Sequence, residues 1–122
     1  MDINLHIPTE NQFTKYSDSS VTISEQIFTT NIIVSNTAIS PIAVLNINLL
    51  TLTDVEPLIK DSPDIIIFGS GDKIVYPAAD ILYAINQNKI GYEVMTIQAL
   101  CRTYNFLVSE GRKVAALLFF PN

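Results

Sequence analysis

The chain of 122 residues is 48% hydrophobic with a mean hydropathy of +0.32, which supports one domain, residues 1–122, burying roughly two-thirds of its unfolded surface. A net charge of −5 argues against nucleic acid or an anionic membrane as partner, and the single cysteine excludes an internal disulfide. No apolar run reaches the roughly 20 residues that span a bilayer, so no membrane insertion is expected and the cytoplasm is the expected location.

The first stretch, MDINLHIPTEN, carries acids and no base, and Pro8 interrupts it. It fits neither a signal nor a transit peptide and reads as an irregular or edge segment. From Gln12 to Val34 the chain is rich in Ser, Thr and β-branched residues, which suit a pleated surface. Val21–Ile23 alternates, Ser24–Gln26 can turn, and Ile27–Phe28 resumes, so a hairpin is predicted there. Asn31–Val34 reads as the next strand, Asn36–Pro41 as a turn region, and Ile42–Asn48 as a further strand with a one-residue slip.

Thr53 and Glu56 have the spacing of a capping box, so a short helix is predicted from Thr53 to about Lys60, limited by Pro57. The organising stretch follows at residues 63–72, PDIIIFGSGD. Its Ile65–Phe68 run, bounded by turn residues, predicts a strand buried on both faces. Pro77 suits the first position of a second helix, with Ala78, Ile81, Leu82 and Ile85 on its apolar face. Tyr92–Met95 reads as a strand. Thr96 then caps a third helix whose buried stripe is Ile97, Leu100, Cys101, Tyr104, Leu107 and Val108. Gln98, Arg102, Asn105 and Ser109 form its polar stripe, and Gly111 ends it in a left-handed conformation. Val114–Phe120 is apolar throughout and predicts a central strand. The alternation of helix and strand after Thr53, with a β-rich half before it, gives an α/β fold: a mixed sheet with helices on both faces.

Candidate chemistry is sparse. Gly69-Ser70-Gly71 after a buried strand has the look of a phosphate-binding turn, but a dinucleotide site needs a third glycine where Ile74 stands. Ser70 lacks the flanking glycines of a nucleophile elbow, and the sole histidine, His6, lies in the weakly patterned N-terminal stretch. One His and one Cys do not assemble an ordinary zinc site. No catalytic residue, metal or cofactor is therefore assigned. Cys101 sits on the apolar stripe and reads as an inert buried thiol. Both arginines lie in the second half of the chain, where any anion recognition belongs. Arg102, Asn105 and Arg112 are read either as solvated surface or as polar contacts to a partner.

The PDIIIFGSGD stretch, the Gly-x-Glu-Val start at residues 91–94, and the run Thr103, Tyr104, Asn105, Glu110, Gly111, Arg112 resemble one small-domain family. It is the family of the mitochondrial respiratory complex I assembly factor 3 and the adipogenesis-associated domain protein. The resemblance is strong over about residues 60–119 and loose over 10–50. It implies a three-layer α/β domain around a mixed sheet, no established catalytic activity, no cofactor, and a partner-binding role. The resulting expectation is a non-enzymatic protein-interaction domain, a candidate assembly factor for a respiratory or other membrane-associated complex. Its protein partner is unidentified, homo-oligomerisation is open, and its contacts are placed at Arg102, Asn105 and Arg112. The alternative is a small-ligand or enzymatic domain using the crevice at Gly69, Ser70 and Gly71.

Overall fold

The structure, a computed structural model, describes residues 10–121. His6, Pro8 and most of the expected irregular segment lie outside the described residues. A small antiparallel sheet comes first, ordered β1 (Phe13–Tyr16), β2 (Val21–Ile23), β3 (Gln26–Phe28). The hairpin stands where expected, but its turn is tighter. Only Ser24 and Glu25 turn, with φ of 50° and 70°, and Gln26 already pairs with Ile23. Two left-handed residues make the mirror-image turn whose twist matches the flanking strands.

The main sheet is mixed, in the order β5-β4-β8-β6-β7. Its strands are β4 (Ile32–Ser35), β5 (Ile39–Pro41), β6 (Ile65–Ser70), β7 (Gly91–Met95) and β8 (Val114–Phe119). β6 runs parallel to both β7 and β8, while β4 is antiparallel to β8 and β5. β6 and β8 are interior, as their unbroken apolar runs predict.

The strand expected over Ile42–Asn48 does not form. The pairing strand is Ile39–Pro41, inside the stretch read as a turn. Pro41 lacks an N–H only on the outer side of this edge strand, and one more bond follows it, from the Ile42 N–H to the Asn31 carbonyl at 3.0 Å. The carbonyls of Val44 and Leu45 instead accept from the side-chain amide of Asn31, each at 3.0 Å. Ile47–Leu49 then closes one 3₁₀ turn. The apolar residues of this stretch serve burial, of Ile47 and Leu50, rather than pairing.

Asn31 and Asn36 flank β4 and pin both ends of β8. Asn31 Oδ1 accepts from the Phe120 N–H and Asn36 Oδ1 from the Val114 N–H, both at 2.8 Å. Each side chain thus extends the β4–β8 ladder by one bond beyond the last paired residue. Asn31→Ala strands the buried Phe120 N–H and frees two carbonyls, so a loss of about 2 kcal/mol is expected. Urea denaturation checks it; a loss of only a few tenths would mean that water replaces the amide freely.

Three helices complete the described chain: α1 (Leu52–Lys60), α2 (Ala79–Gln87) and α3 (Ile97–Ser109). α1 starts earlier than expected. Its capping box is Thr51 with Asp54, whose carboxylate accepts from the Thr51 N–H at 2.9 Å. Thr51–Asp54 and Thr53–Glu56 share the spacing, and the earlier pair brings Leu52 against the core. α2 starts later than expected. Pro77 is buried ahead of it, and Ala78, exposed and with ψ of 148°, is its N-cap rather than part of the apolar face. α3 matches the prediction at both ends. Thr96 Oγ1 accepts from the Ala99 N–H at 3.4 Å, and Gly111 closes the helix at φ 81°. There the Gly111 and Arg112 N–H groups reach Val108 and Leu107 carbonyls, both at 3.0 Å, in a Schellman cap.

Alternation along the strands splits the core in two. Ile66, Phe68, Leu117 and Phe119 face α1 and α2, which bury Val55, Ile59, Ile81 and Ile85. Ile67, Ala116 and Leu118 face α3 and the small sheet, which bury Phe13, Ile23, Leu100 and Tyr104. The crossover β6-α2-β7 steps one way along the sheet and β7-α3-β8 steps back past β6. With the usual right-handed connection, this places α2 and α3 on opposite faces. The result is the three-layer α/β arrangement.

Candidate functional site

The glycine turn sits at the carboxyl ends of β6 and β8, where open α/β sheets hold their ligands. Gly69 is buried directly beneath α3. A Cβ built on it would lie 2.7 Å from Leu100 Cδ1 and 3.5 Å from Ile97 Cα. Ser70 Oγ donates to the Lys73 carbonyl at 2.6 Å and accepts from the Val75 N–H at 3.2 Å. Gly71, at φ 38°, donates its N–H to the Phe119 carbonyl, and its own carbonyl accepts from the Ile97 N–H at 3.0 Å. The turn therefore closes β6 against β8 and caps α3. Its backbone donors face the protein, in contrast to a phosphate cradle.

Beside this turn lies an open crevice of about 230 Å³. Val75 and Phe119 give it apolar walls, and Asn46, Asn48 and Lys73 line it with polar groups. Small-molecule sites usually start at roughly 300 Å³ and enclose the ligand. Asn46 and Asn48 come from the segment misread as strand, so periodicity held no signal for them.

The second candidate set is divided by the fold. Asn105 is half-buried, and its side chain clamps β1: Oδ1 accepts from the Phe13 N–H and Nδ2 donates to the Phe13 carbonyl, both at 2.8 Å. Arg112, past the end of α3, places Nε 3.4 Å from Asp64 Oδ2, with both side chains about half exposed. The Lys113 N–H also donates to that carboxylate, at 2.9 Å. This backbone bond, with help from Arg112, holds the Asp64 carboxyl below its usual range. Arg102 is exposed in the middle of α3, about 10 Å along the axis from the helix end by helical rise, and Arg112 lies beyond that end. The three residues thus do not converge on one point. Among the described residues, no three metal-ligating side chains gather, and no helix is long and apolar enough to cross a membrane.

Cys101 lies fully buried against the main sheet. Burial pushes its thiol up to about 12, against a weaker opposing pull from Arg102. The thiolate is the reactive form. Thiol reagents should therefore label the folded protein slowly and the urea-unfolded protein fast; equal rates in the two states would contradict this packing.

The chain matches the family described as a protein of unknown function (DUF498/DUF598) over residues 13–119. Among curated relatives, the NADH dehydrogenase (ubiquinone) 1 alpha subcomplex assembly factor 3 of Drosophila melanogaster is 28% identical, over 74% of this chain and 50% of its own length. A 13 kDa major membrane protein of Francisella tularensis is 31% identical over 50% of each chain. The chain thus spans about half the length of these relatives. Among solved structures, Xanthomonas campestris XCC1710 superposes with a TM-score of 0.83 at 28% identity, covering 98% of this chain and 92% of that one. A Bordetella pertussis protein described as a Mth938-like domain shares the fold with a TM-score of 0.78 at 19% identity, covering 98% and 92%. With the fold, the glycine turn and the α3 cap in place over the matched span, the chain belongs to the DUF498/DUF598 family, with the complex I assembly factor 3 proteins among its named relatives.

Proposed function

We propose that this chain is a non-enzymatic protein-interaction domain that serves the assembly of a respiratory or other membrane-associated complex. The observation that carries this reading is the state of the Gly69–Gly71 turn. Its hydroxyl and backbone groups are bonded within the protein, and the crevice beside it is open and small. That favours a surface that docks over a site that encloses and transforms a ligand. Exposed Ile74, Tyr76 and Phe106 add apolar surface of the kind protein partners cover. The names of the assembly-factor relatives support the same direction.

Arg102 and Arg112 are the proposed polar contacts, and Asn105 contributes by holding β1 in place. Arg102→Ala is expected to leave the melting curve nearly unchanged, at a cost of about 0.5 kcal/mol, because the side chain points away from the core. Loss of an arginine at the centre of an interface weakens binding by about 2 kcal/mol or more. A thermal melt beside co-precipitation of the partner captured by wild type separates the two magnitudes. Unchanged binding would make Arg102 ordinary solvated surface. A small metabolite bound at Ser70 would replace the interaction reading with the ligand-binding one.

A further inference from the structure

The four sheet edges differ in how they are protected. β3 and β5 are three residues each, and β5 ends in Pro41. β1 carries a register shift between Phe13 and Lys15, and the outward N–H and carbonyl of Phe13 are taken by Asn105. Short length, proline, irregular register and covering groups are the usual defences of an edge. Among the described residues β7 has none of these four, and its one defence is the charge of Glu93. Its five residues, Gly91–Met95, pair with β6 in unbroken register from Ile65↔Gly91 to Gly69↔Met95. It contains no proline, lysine or bulge.

The open side of β7 has a definite chemistry. The Gly91 N–H points inward to the Asp64 carbonyl at 3.1 Å. By strand alternation the N–H and carbonyl groups of Tyr92 and Val94 point outward. Their side chains, with Leu82 of α2, are half-buried at the margin of the core and extend its apolar surface toward that edge. On the other face Glu93 is exposed and is the strand's sole charge.

We propose that β7 is a docking strand, which takes an extended segment of a partner protein as a sixth strand of the main sheet. The segment carries apolar residues beside Tyr92 and Val94 and a lysine or arginine beside Glu93. This deepens the partner-binding reading and rests on it. The mode is strand addition, in which main-chain bonds give affinity and alternate side chains give specificity.

Glu93 also argues against a second copy of this chain as the occupant. In a two-fold antiparallel pairing, facing residues must share a sheet face, so the axis passes through a residue. About Glu93, all five residues of Gly91–Met95 pair, but Glu93 faces its own copy. Like charges directly opposite destabilise a pair. About Tyr92 or Val94, only residues 91–93 or 93–95 pair.

The test is selection of displayed random peptides on the full chain, followed by affinity measurement against two variants. Val94→Pro removes an outward N–H that the β6–β7 ladder does not use, a place where an edge strand tolerates proline. Glu93→Lys reverses the charge at an exposed position and stands as the second variant should the proline disturb folding, as judged by the amide NMR spectrum. Enriched peptides are expected to alternate apolar and polar residues around a basic one and to bind Val94→Pro about tenfold more weakly. Selection on Glu93→Lys should favour acidic peptides instead. No enrichment, or peptides indifferent to both variants, overturns the proposal. So does a wild-type dimer that Val94→Pro dissociates, since a second copy would then occupy the edge. A cellular partner held equally by wild type and both variants sinks the docking strand and leaves the interaction reading standing; the absence of any captured partner sinks that reading instead.

Discussion

Tyr104→Ala is expected to destabilise the protein by about 4 kcal/mol, within the range for truncating a large buried aromatic. Tyr104 is fully buried on α3, between the main sheet and the small one. Its ring meets Phe13 edge-on, with centroids 5.1 Å apart and an interplanar angle of 77°. Its hydroxyl donates to the Ser35 carbonyl at 3.0 Å. Three elements therefore lose contacts at once: α3, β1 and β4. Tyr104→Phe separates the ring from the hydroxyl. It should cost only about 1 kcal/mol, because the Ser35 carbonyl still accepts from Asn11 Nδ2 at 2.9 Å. Urea denaturation of the pair measures both. If the phenylalanine variant lost as much as the alanine variant, the hydroxyl and not the packing would be holding the layers together. Domains of this size are stable by roughly 5–15 kcal/mol, so the alanine variant should lose between about a quarter and four-fifths of its stability.

Gly69→Val is expected to cost about 3 kcal/mol, the upper end for overpacking a core. The added Cβ would stand 2.7 Å from Leu100 Cδ1, 3.2 Å from Leu100 Cβ and 3.5 Å from Ile97 Cα. Leu100 and Ile97 are themselves fully buried, so neither has free space to retreat into. Gly111 supplies the contrast. A Cβ there meets nothing within 4 Å, and only the left-handed φ of 81° penalises it, at roughly 1–2 kcal/mol. Melting midpoints should separate the two variants, with shifts on the order of 4 °C per kcal/mol. Leu100→Ala combined with Gly69→Val should be more stable than the sum of the single losses, because the cavity of one receives the methyls of the other. Simple additivity would show that the helix does not rest on this glycine.

These two positions mark what the sequence made legible and what it hid. The α3 stripe announced itself through 3.6-residue spacing, a Thr96 cap and a Gly111 stop, and Tyr104 fell on it. The β6 and β8 runs were equally plain, because strands buried on both faces carry no polar interruption. Gly69 was visible as a turn residue, but its reason was not. The need for a missing side chain arises from α3, far along the chain, and leaves no local pattern. Asn31, Asn36 and Asn105 were hidden for the same cause. Each replaces a strand neighbour with a side-chain amide, whereas from sequence Asn31 reads as the start of a strand, Asn36 as a turn residue and Asn105 as part of a polar helix face. Spacing leaves Asn105 either as solvated surface or as a partner contact; its bonds to Phe13 depend on where β1 is placed, and no periodicity marks that strand. The stretch after Pro41 misled in the opposite direction. Its apolar residues had strand-like chemistry, but the Asn31 amide takes its carbonyls.

The placement of β8 has a consequence for biosynthesis. The sheet is not laid down in the order of translation: β4 and β6 are made early and held apart until β8 fills the slot between them. The ladders that close this slot join Ile32 to Leu118 and Ile65 to Val114. While a ribosome is still within the α3 codons, the nascent chain has its apolar β6 with one flank unpaired and both halves of the core open. Native closure must therefore follow emergence of residues 114–119, and a chain stalled before that point is a substrate for chaperones rather than a partly finished domain.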